Sequence, residues 1–352
     1  MSCLGSLALS RHWWGNRCAC DREAGYHVDA LVGLDGYLSR RLQRQVCRKA
    51  ADGSFAKTRE DLIEFLGVPV STETLRKVSQ EHGRRMARWQ PQDTTGAAAF
   101  AAAAGEVEFT IDAGKVNTRE EGWKDAKIAV VQKRPLGTPV EPAAWDTQRL
   151  PEATARIAWG EIAASERFRK SWPARLRELG VVQMAEVHVL GDGASWIWRS
   201  ADQVLTGSLQ TLDIYHALEH LAKAGQRLYG EGTEAANAFL ERGRTHLLAA
   251  GWTGLCQLVG EEYAQGETPA RLVALEKLVG YFAKHTQRLA YADRLHGGQA
   301  IGSGVVEGQA KTLGLRLKAR GARWRKKNVK GMMALVCVRN SEQWNAYWRQ
   351  AA

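Results

Sequence analysis

The chain has 352 residues, 45% hydrophobic and 25% charged, a globular composition that excludes a disordered tail, a collagen-like repeat and a disulfide-stapled miniprotein. Lys and Arg number 49 against 38 Asp and Glu, a formal charge of +11, which points to a polyanionic partner without separating DNA, RNA and an anionic membrane. No window approaches the roughly 18 apolar residues of a membrane span, and the opening MSCLGSLALSRHWW lacks the basic start of a secretory signal. The six cysteines are scattered, so a reducing cytoplasmic setting is expected.

Residues 1–29 carry little periodic signal. Residues 30–94 read as a helical unit. Ser54 to Leu66 places Phe55, Leu62, Phe65 and Leu66 at helical spacing, and Gly67-Val68-Pro69 breaks the run. Ser71 suits the N-cap of a second helix, with Glu73 in its first turn and Leu75 and Val78 facing inward. Helix, Gly-containing turn and capped helix make a helix-turn-helix pattern, although a plain αα-hairpin reads the same way. Under the DNA-binding reading, Ser71, Thr74, Arg76 and Lys77 are candidate contacts.

Residues 95–105 are low in complexity and form a boundary, either a linker or a short connecting helix. The period then changes to two. Val107, Phe109 and Ile111 alternate with polar neighbours and run into Asp112, and 123–132 is a second strand candidate. Residues 153–180 read as mainly helical, with ARIAWGEI a candidate third strand. Val187 to Leu190 is a short buried strand ending at Gly191-Asp192-Gly193, and Leu212 to Tyr215 closes a further strand. From His216 to Leu295 nearly everything is helical, as is the basic tail after Glu307. The expected class is α/β with an all-α insertion.

Three acids stand out: Asp112 and Asp192 at strand ends, and Glu307 in the Gly-broken IGSGVVEGQAKTLGLR. Strand-end carboxylates are a natural place to hold hard cations such as Mg²⁺, and a pair of ions roughly 3.5–4 Å apart can clamp an in-line phosphoryl displacement. Singly, each acid also suits a blander role, the two Asp as turn caps and the Glu as a helix-start acid.

TIDAGKVNTREEGWKDAKIAVV, HVLGDGASWIW, LQTLDIYHALEHL, IGSGVVEGQAKTLGLRLKARGARW and SEQWNAYW follow one another in an order and spacing that resembles the ISKra group of bacterial insertion-sequence transposases, which are Mutator-like. The resemblance runs across almost the whole chain. It implies a ribonuclease-H-like core with an Asp-Asp-Glu site, here Asp112, Asp192 and Glu307, binding two Mg²⁺ or Mn²⁺ ions. It further implies Asp213 and His216 beside that site, double-stranded DNA as substrate, and at least a dimer on DNA. The expected domains are a zinc-ribbon remnant at 1–29, the helix-turn-helix unit at 30–94 and a linker at 95–105. A catalytic domain at 106–216 and 296–352 is interrupted by a helical insertion at 217–295. A DNA-binding protein without catalysis and a nuclease that cuts without joining are the alternatives.

Residues 311–330 carry nine basic side chains and no acidic one. Like charges at helical spacing repel unless phosphate neutralises them, so Lys311, Arg316, Lys318, Arg320, Arg323, Arg325, Lys326 and Lys327 are candidate DNA contacts. Of the thirteen tryptophans, most are expected in the core, with Trp196 or Trp324 available to stack on a base. Cys18-Ala-Cys20 has one residue too few for a zinc knuckle and lacks a second pair, so bound zinc is not expected.

Overall fold

The computed structural model describes residues 1–3, 5–6, 8–10, 12, 29, 34–35, 37–184, 186–266, 268–319 and 322–350. Cys18, Cys20 and Arg320 lie outside the described residues, and with the two cysteines the core of the expected zinc-ribbon remnant.

A short antiparallel pair, β1 (Leu34–Asp35) and β2 (Leu38–Ser39), leads into α1 (Arg40–Asp52), α2 (Phe55–Leu66) and α3 (Thr72–Trp89). The break at Gly67 and the cap at Ser71 follow the sequence reading, and Ser54 adds a further cap. Ser54 Oγ accepts from the Lys57 N–H at 3.1 Å, Gly67 ends α2 with φ at 63°, and Ser71 Oγ accepts from the Thr74 N–H at 3.1 Å. Of the apolar residues expected to bury α2, only Leu62 is enclosed; Phe65 is 70% exposed.

Of the two readings of the boundary stretch, linker or short connecting helix, the structure shows the helix. Asp93 caps α4 (Thr94–Ala102), and Phe100 on that helix is fully buried. Alanine-rich sequence is a strong helix former, and Phe100 gives it a hydrophobic anchor.

The chain is α/β, built on a mixed five-stranded sheet with strand order β5-β4-β3-β6-β7. The long strands β3 (Glu106–Thr118) and β4 (Gly122–Arg134) pair antiparallel, and β5 (Ala155–Ile162) pairs antiparallel with β4. Residues 155–162, the candidate third strand within a mainly helical stretch, are strand: Ile157 and Trp159 alternate into one face of the sheet. Two short helices follow, α5 (Ser165–Arg169) and α6 (Trp172–Glu178). Next, β6 (Val187–Gly191) pairs parallel with β3, and after α7 (Ser195–Val204), β7 (Leu209–Leu212) pairs parallel with β6. The last strand ends at Leu212 rather than running on to Tyr215.

The inserted block contains α8 (Ile214–Tyr229), α9 (Glu234–Tyr263), α10 (Pro269–Phe282) and α11 (Tyr291–His296). It packs continuously with the face of the sheet that bears Phe109, Ile111 and Trp159. The opposite face, bearing Val116, Ile128 and Val130, is covered by α12 (Gly304–Leu317) and α13 (Lys326–Arg339), with α14 (Gln343–Gln350) at the edge. The start of α13 is basic and Arg339 stands in its last turn; its middle, GMMALVCV, is core. The helices α13 and α3 meet at Gly83 and Gly331, where a Cβ on Gly83 would stand 2.5 Å from the Gly331 carbonyl oxygen. Cys47, Ala51 and Met86 of the N-terminal helices thus join the same core as the sheet.

Candidate active site

Strand register decides where the acids sit. Ile111 pairs with Gly191 across β3 and β6, and Gly191 pairs with Leu212 across β6 and β7. The next residue on each strand is an aspartate. Asp112, Asp192 and Asp213 therefore stand at one level, where the parallel pairing of three adjacent strands stops; Asp192 and Asp213 follow strand ends, whereas Asp112, expected at a strand end, lies mid-strand because β3 runs on to Thr118 paired with β4.

The three differ in what they are free to do. Asp112 Oδ1 accepts from the Ala113 N–H at 2.6 Å, and Asp192 Oδ1 accepts from the Ala194 N–H at 3.0 Å. In each, the second oxygen has no hydrogen bond among the described residues, and both side chains are half-buried. Asp213 is fully buried and committed. Its Oδ1 takes the Tyr215 and His216 N–H groups at 2.7 and 3.2 Å, capping α8, and its Oδ2 takes the Ser303 N–H. Asp213 thus stands beside the other acids, but as a buried helix cap rather than a group open to a substrate, which corrects a direct catalytic part for it.

Glu307 enters from the first turn of α12 and is exposed. Ser303 Oγ donates to its Oε1 at 3.2 Å, leaving Oε2 open. Burial raises the Asp112 carboxyl above its usual range; the charge of Asp192 adds to this, while the Ala113 N–H, His216 and Lys127 oppose it. Burial likewise raises Glu307, helped by the charges of Asp213 and Asp112 and opposed by Ser303 and His216. Asp112 feels the charge of Asp192, and Glu307 feels that of Asp112, so Asp112 links the other two electrostatically. His216 sits within it, half-buried on the first turn of α8.

No group of three or more His, Cys, Asp or Glu side chains among the described residues stands as close together as the ligands of one bound ion do. Gripping a shared cation requires the carboxylates to draw together. Their chemistry suits that: hard oxygen donors, an open oxygen on each, and mutual repulsion that a divalent charge relieves.

The helix α12 separates two cavities. One, of about 520 Å³, lies between α12 and β3 and is lined by Asp112, Lys115, Lys311 and Lys318. The other, of about 1010 Å³, is lined by Tyr215, Trp145, Arg149 and Arg156 and by the glycines 302, 304 and 308. Lys311, Lys318, Arg323, Arg325, Lys326 and Lys327 are exposed as expected, although Lys326 Nζ is held by Glu121. Arg316 is a correction. It is 3% exposed, and its Nε donates to the Ala50 carbonyl, so it faces the interior. On α3, Arg76 is paired with Glu73 at 2.5 Å, Lys77 lies 3.7 Å from the same carboxylate, and Ser71 caps the helix with its hydroxyl 2.9 Å from that of Thr74.

Trp324 is also packed, its Nε1 donating to the Leu317 carbonyl, whereas Trp196 is half-buried beneath Lys127 Nζ, 5.4 Å from its ring centroid. Two neighbours of the site carry no sequence signal. Lys127 comes from β4, and Tyr281 comes from α10, where it stacks on His220 at 3.4 Å. His220 is thereby packed against that ring. No family model matches the chain, and no curated protein matches it either.

Proposed function

We propose that the chain is a DNA transposase of the ISKra, Mutator-like kind, acting on phosphodiesters through Asp112, Asp192 and Glu307. The observation that carries this reading is the common register of Asp112 and Asp192 on adjacent parallel strands, with Glu307 brought to Asp112 by a helix that begins beyond the inserted block. An antiparallel pair, β4 and β5, beside three parallel strands supports a ribonuclease-H-like core with a helical insertion ahead of Glu307.

Asp112, Asp192 and Glu307 would hold divalent cations, Mg²⁺ or Mn²⁺. Bound there, such ions would supply Lewis acidity and charge neutralisation to an in-line displacement at phosphorus. The protein's own residues do the rest. Lys311 and Lys318 sit beside Asp112, placed to hold a phosphate backbone along α12. Asp213 fixes the start of α8 against the loop that delivers Glu307. Water attacks phosphorus as the P–O3′ bond breaks, freeing a 3′-hydroxyl; that hydroxyl then attacks a target phosphorus in a second displacement, and the target strand's own 3′-oxygen leaves. Neither displacement calls for a protein nucleophile. Bringing two element ends together calls for at least two copies on DNA.

The test uses labelled duplex carrying the DNA that flanks the coding sequence, Mg²⁺ and a target plasmid. Joined products support the reading. Cuts without joining indicate a nuclease, and a mobility shift without cleavage a binding protein; Asp192→Asn that still joins strands removes the acid assignment.

A further inference from the structure

A third cavity, of about 710 Å³, opens away from the acids, where the N-terminal helices meet the chain between α12 and α13. Six arginines wall it: Arg76 and Arg84 from α3, Arg119 from the β3–β4 turn, and Arg316, Arg323 and Arg325 from the segment around Trp324. No Asp or Glu is among the described residues of that wall. Arg76 and Arg84 are matched by Glu73 and Glu81 on their own helix. Among the described residues no acid pairs with Arg119, Arg316, Arg323 or Arg325.

Arg316 forms the floor. Its guanidinium lies between the rings of Phe55 and Trp324, 4.3 and 4.8 Å from their centroids. Its Nη2 is sealed from solvent without a hydrogen-bond partner. Burial, with no carboxylate to offset it, pulls its pKa down to about 10. A buried cation lacking a counter-charge is costly, and planar guanidinium groups converging on one space match the geometry and charge of phosphoryl oxygens better than a single carboxylate would.

We infer that this cavity is a phosphate-binding site, separate from the acidic cluster, that takes the phosphoryl oxygens of a nucleic-acid backbone or of a free polyphosphate. Its occupant neutralises Arg316 and holds α3, the β3–β4 turn and the basic segment together. The site stands without the cleavage reading, whereas backbone phosphate as its source rests on that reading.

The experiment is calorimetric titration of the full chain with pyrophosphate at constant ionic strength and without divalent ions. Saturable binding to one site is expected, weakened at least tenfold in Arg119→Gln/Arg325→Gln. These two side chains are at the rim, so the test does not depend on how Arg316 variants fold. Asp192→Asn should bind as the parent does, which keeps a failure here distinct from a failure of the cleavage assignment. Competition by duplex DNA identifies backbone phosphate as the source; undiminished pyrophosphate binding beside DNA identifies a free polyphosphate. No saturable binding, or a rim variant that binds unchanged, overturns the site.

Discussion

The Asp213 carboxylate accepts the backbone N–H of Ser303, 90 residues further along the chain, and so joins the first turn of α8 to the loop in front of α12. One buried side chain thereby sets the relative position of His216 and Glu307. Removing it leaves the Tyr215, His216 and Ser303 N–H groups unpaired. Asp213→Ala is expected to cost about 3 kcal/mol, from lost capping and lost charge-assisted hydrogen bonds, read by denaturant unfolding. Asp213→Asn keeps an oxygen for the helix cap but turns a donor towards Ser303, so the loop shifts with a smaller stability loss. Cleavage should fall in both variants while DNA affinity holds. Full cleavage by Asp213→Asn would show that the Ser303 contact does not position Glu307.

The raised carboxyls give a stability signature with a definite sign. Asp112 and Glu307 bind protons more readily folded than unfolded. The penalty for ionising them is absent below the ordinary carboxylate pKa and grows as pH rises through that value to the raised one. Asp112→Asn and Glu307→Gln should therefore melt higher than the parent at pH 7 in EDTA, and the gap should close towards pH 4. Mg²⁺ should reverse the order: at ten times its Kd, a bound ion adds about 1.4 kcal/mol to the parent, and the variants lose that gain. Thermal scans across pH, with and without Mg²⁺, check both halves. Variants that melt no higher than the parent in EDTA would count against strain among these acids.

Gly193, next to Asp192, has φ at 76°, and a Cβ there would stand 2.5 Å from Tyr281 Oη. Gly193→Ala therefore meets two obstacles: left-handed backbone costing about 1 kcal/mol, and a phenol held in place by its stack on His220. Tyr281→Phe removes the oxygen and leaves the backbone strain. The double variant should be more stable than the sum of the single effects by roughly 1 kcal/mol, a coupling that a double-mutant cycle by urea unfolding measures. Strict additivity would mean that the inserted block does not press on the Asp192 turn.

Much of this was legible in the chain because local rules governed it. A period-two run located β3 and a short apolar run located β6; Ser71 announced the start of α3; and Asp192, just past its strand, marked one end of the sheet. What the chain alone left open or misplaced has physical causes. Residues 155–162 show in the sequence only as a candidate strand among helix formers, and pairing with β4 decides between the two. Arg316 reads as one more cation in a basic run, yet packing between Phe55 and Trp324 takes it inside. Asp213 and Asp192 carry the same signal, a strand end before a helix or turn. Only the Ser303 N–H, remote in sequence, separates the cap from the open carboxylate. Lys127 and Tyr281 reach the site through sheet pairing and helix packing alone.

The basic groove between α12 and β3 makes a claim about salt. Lys311 and Lys318 are exposed on its wall beside Asp112, so each is expected to neutralise one phosphate, and each neutralised phosphate contributes about 0.9 to the slope of log affinity against log salt. Lys311→Gln/Lys318→Gln should weaken binding to every duplex alike and flatten that slope by about 1.8. Stability should stay within about 0.5 kcal/mol of the parent, as for surface substitutions generally. Arg316→Gln should behave in the opposite way. It removes a buried hydrogen bond to Ala50 and two ring contacts, so its first effect is on unfolding, and any change in affinity follows from the cavity beneath α3 rather than from this groove. Fluorescence anisotropy across a salt series, run beside denaturant melts, separates the two. A lysine pair that lowers affinity without changing the slope would mean that these side chains touch no phosphate.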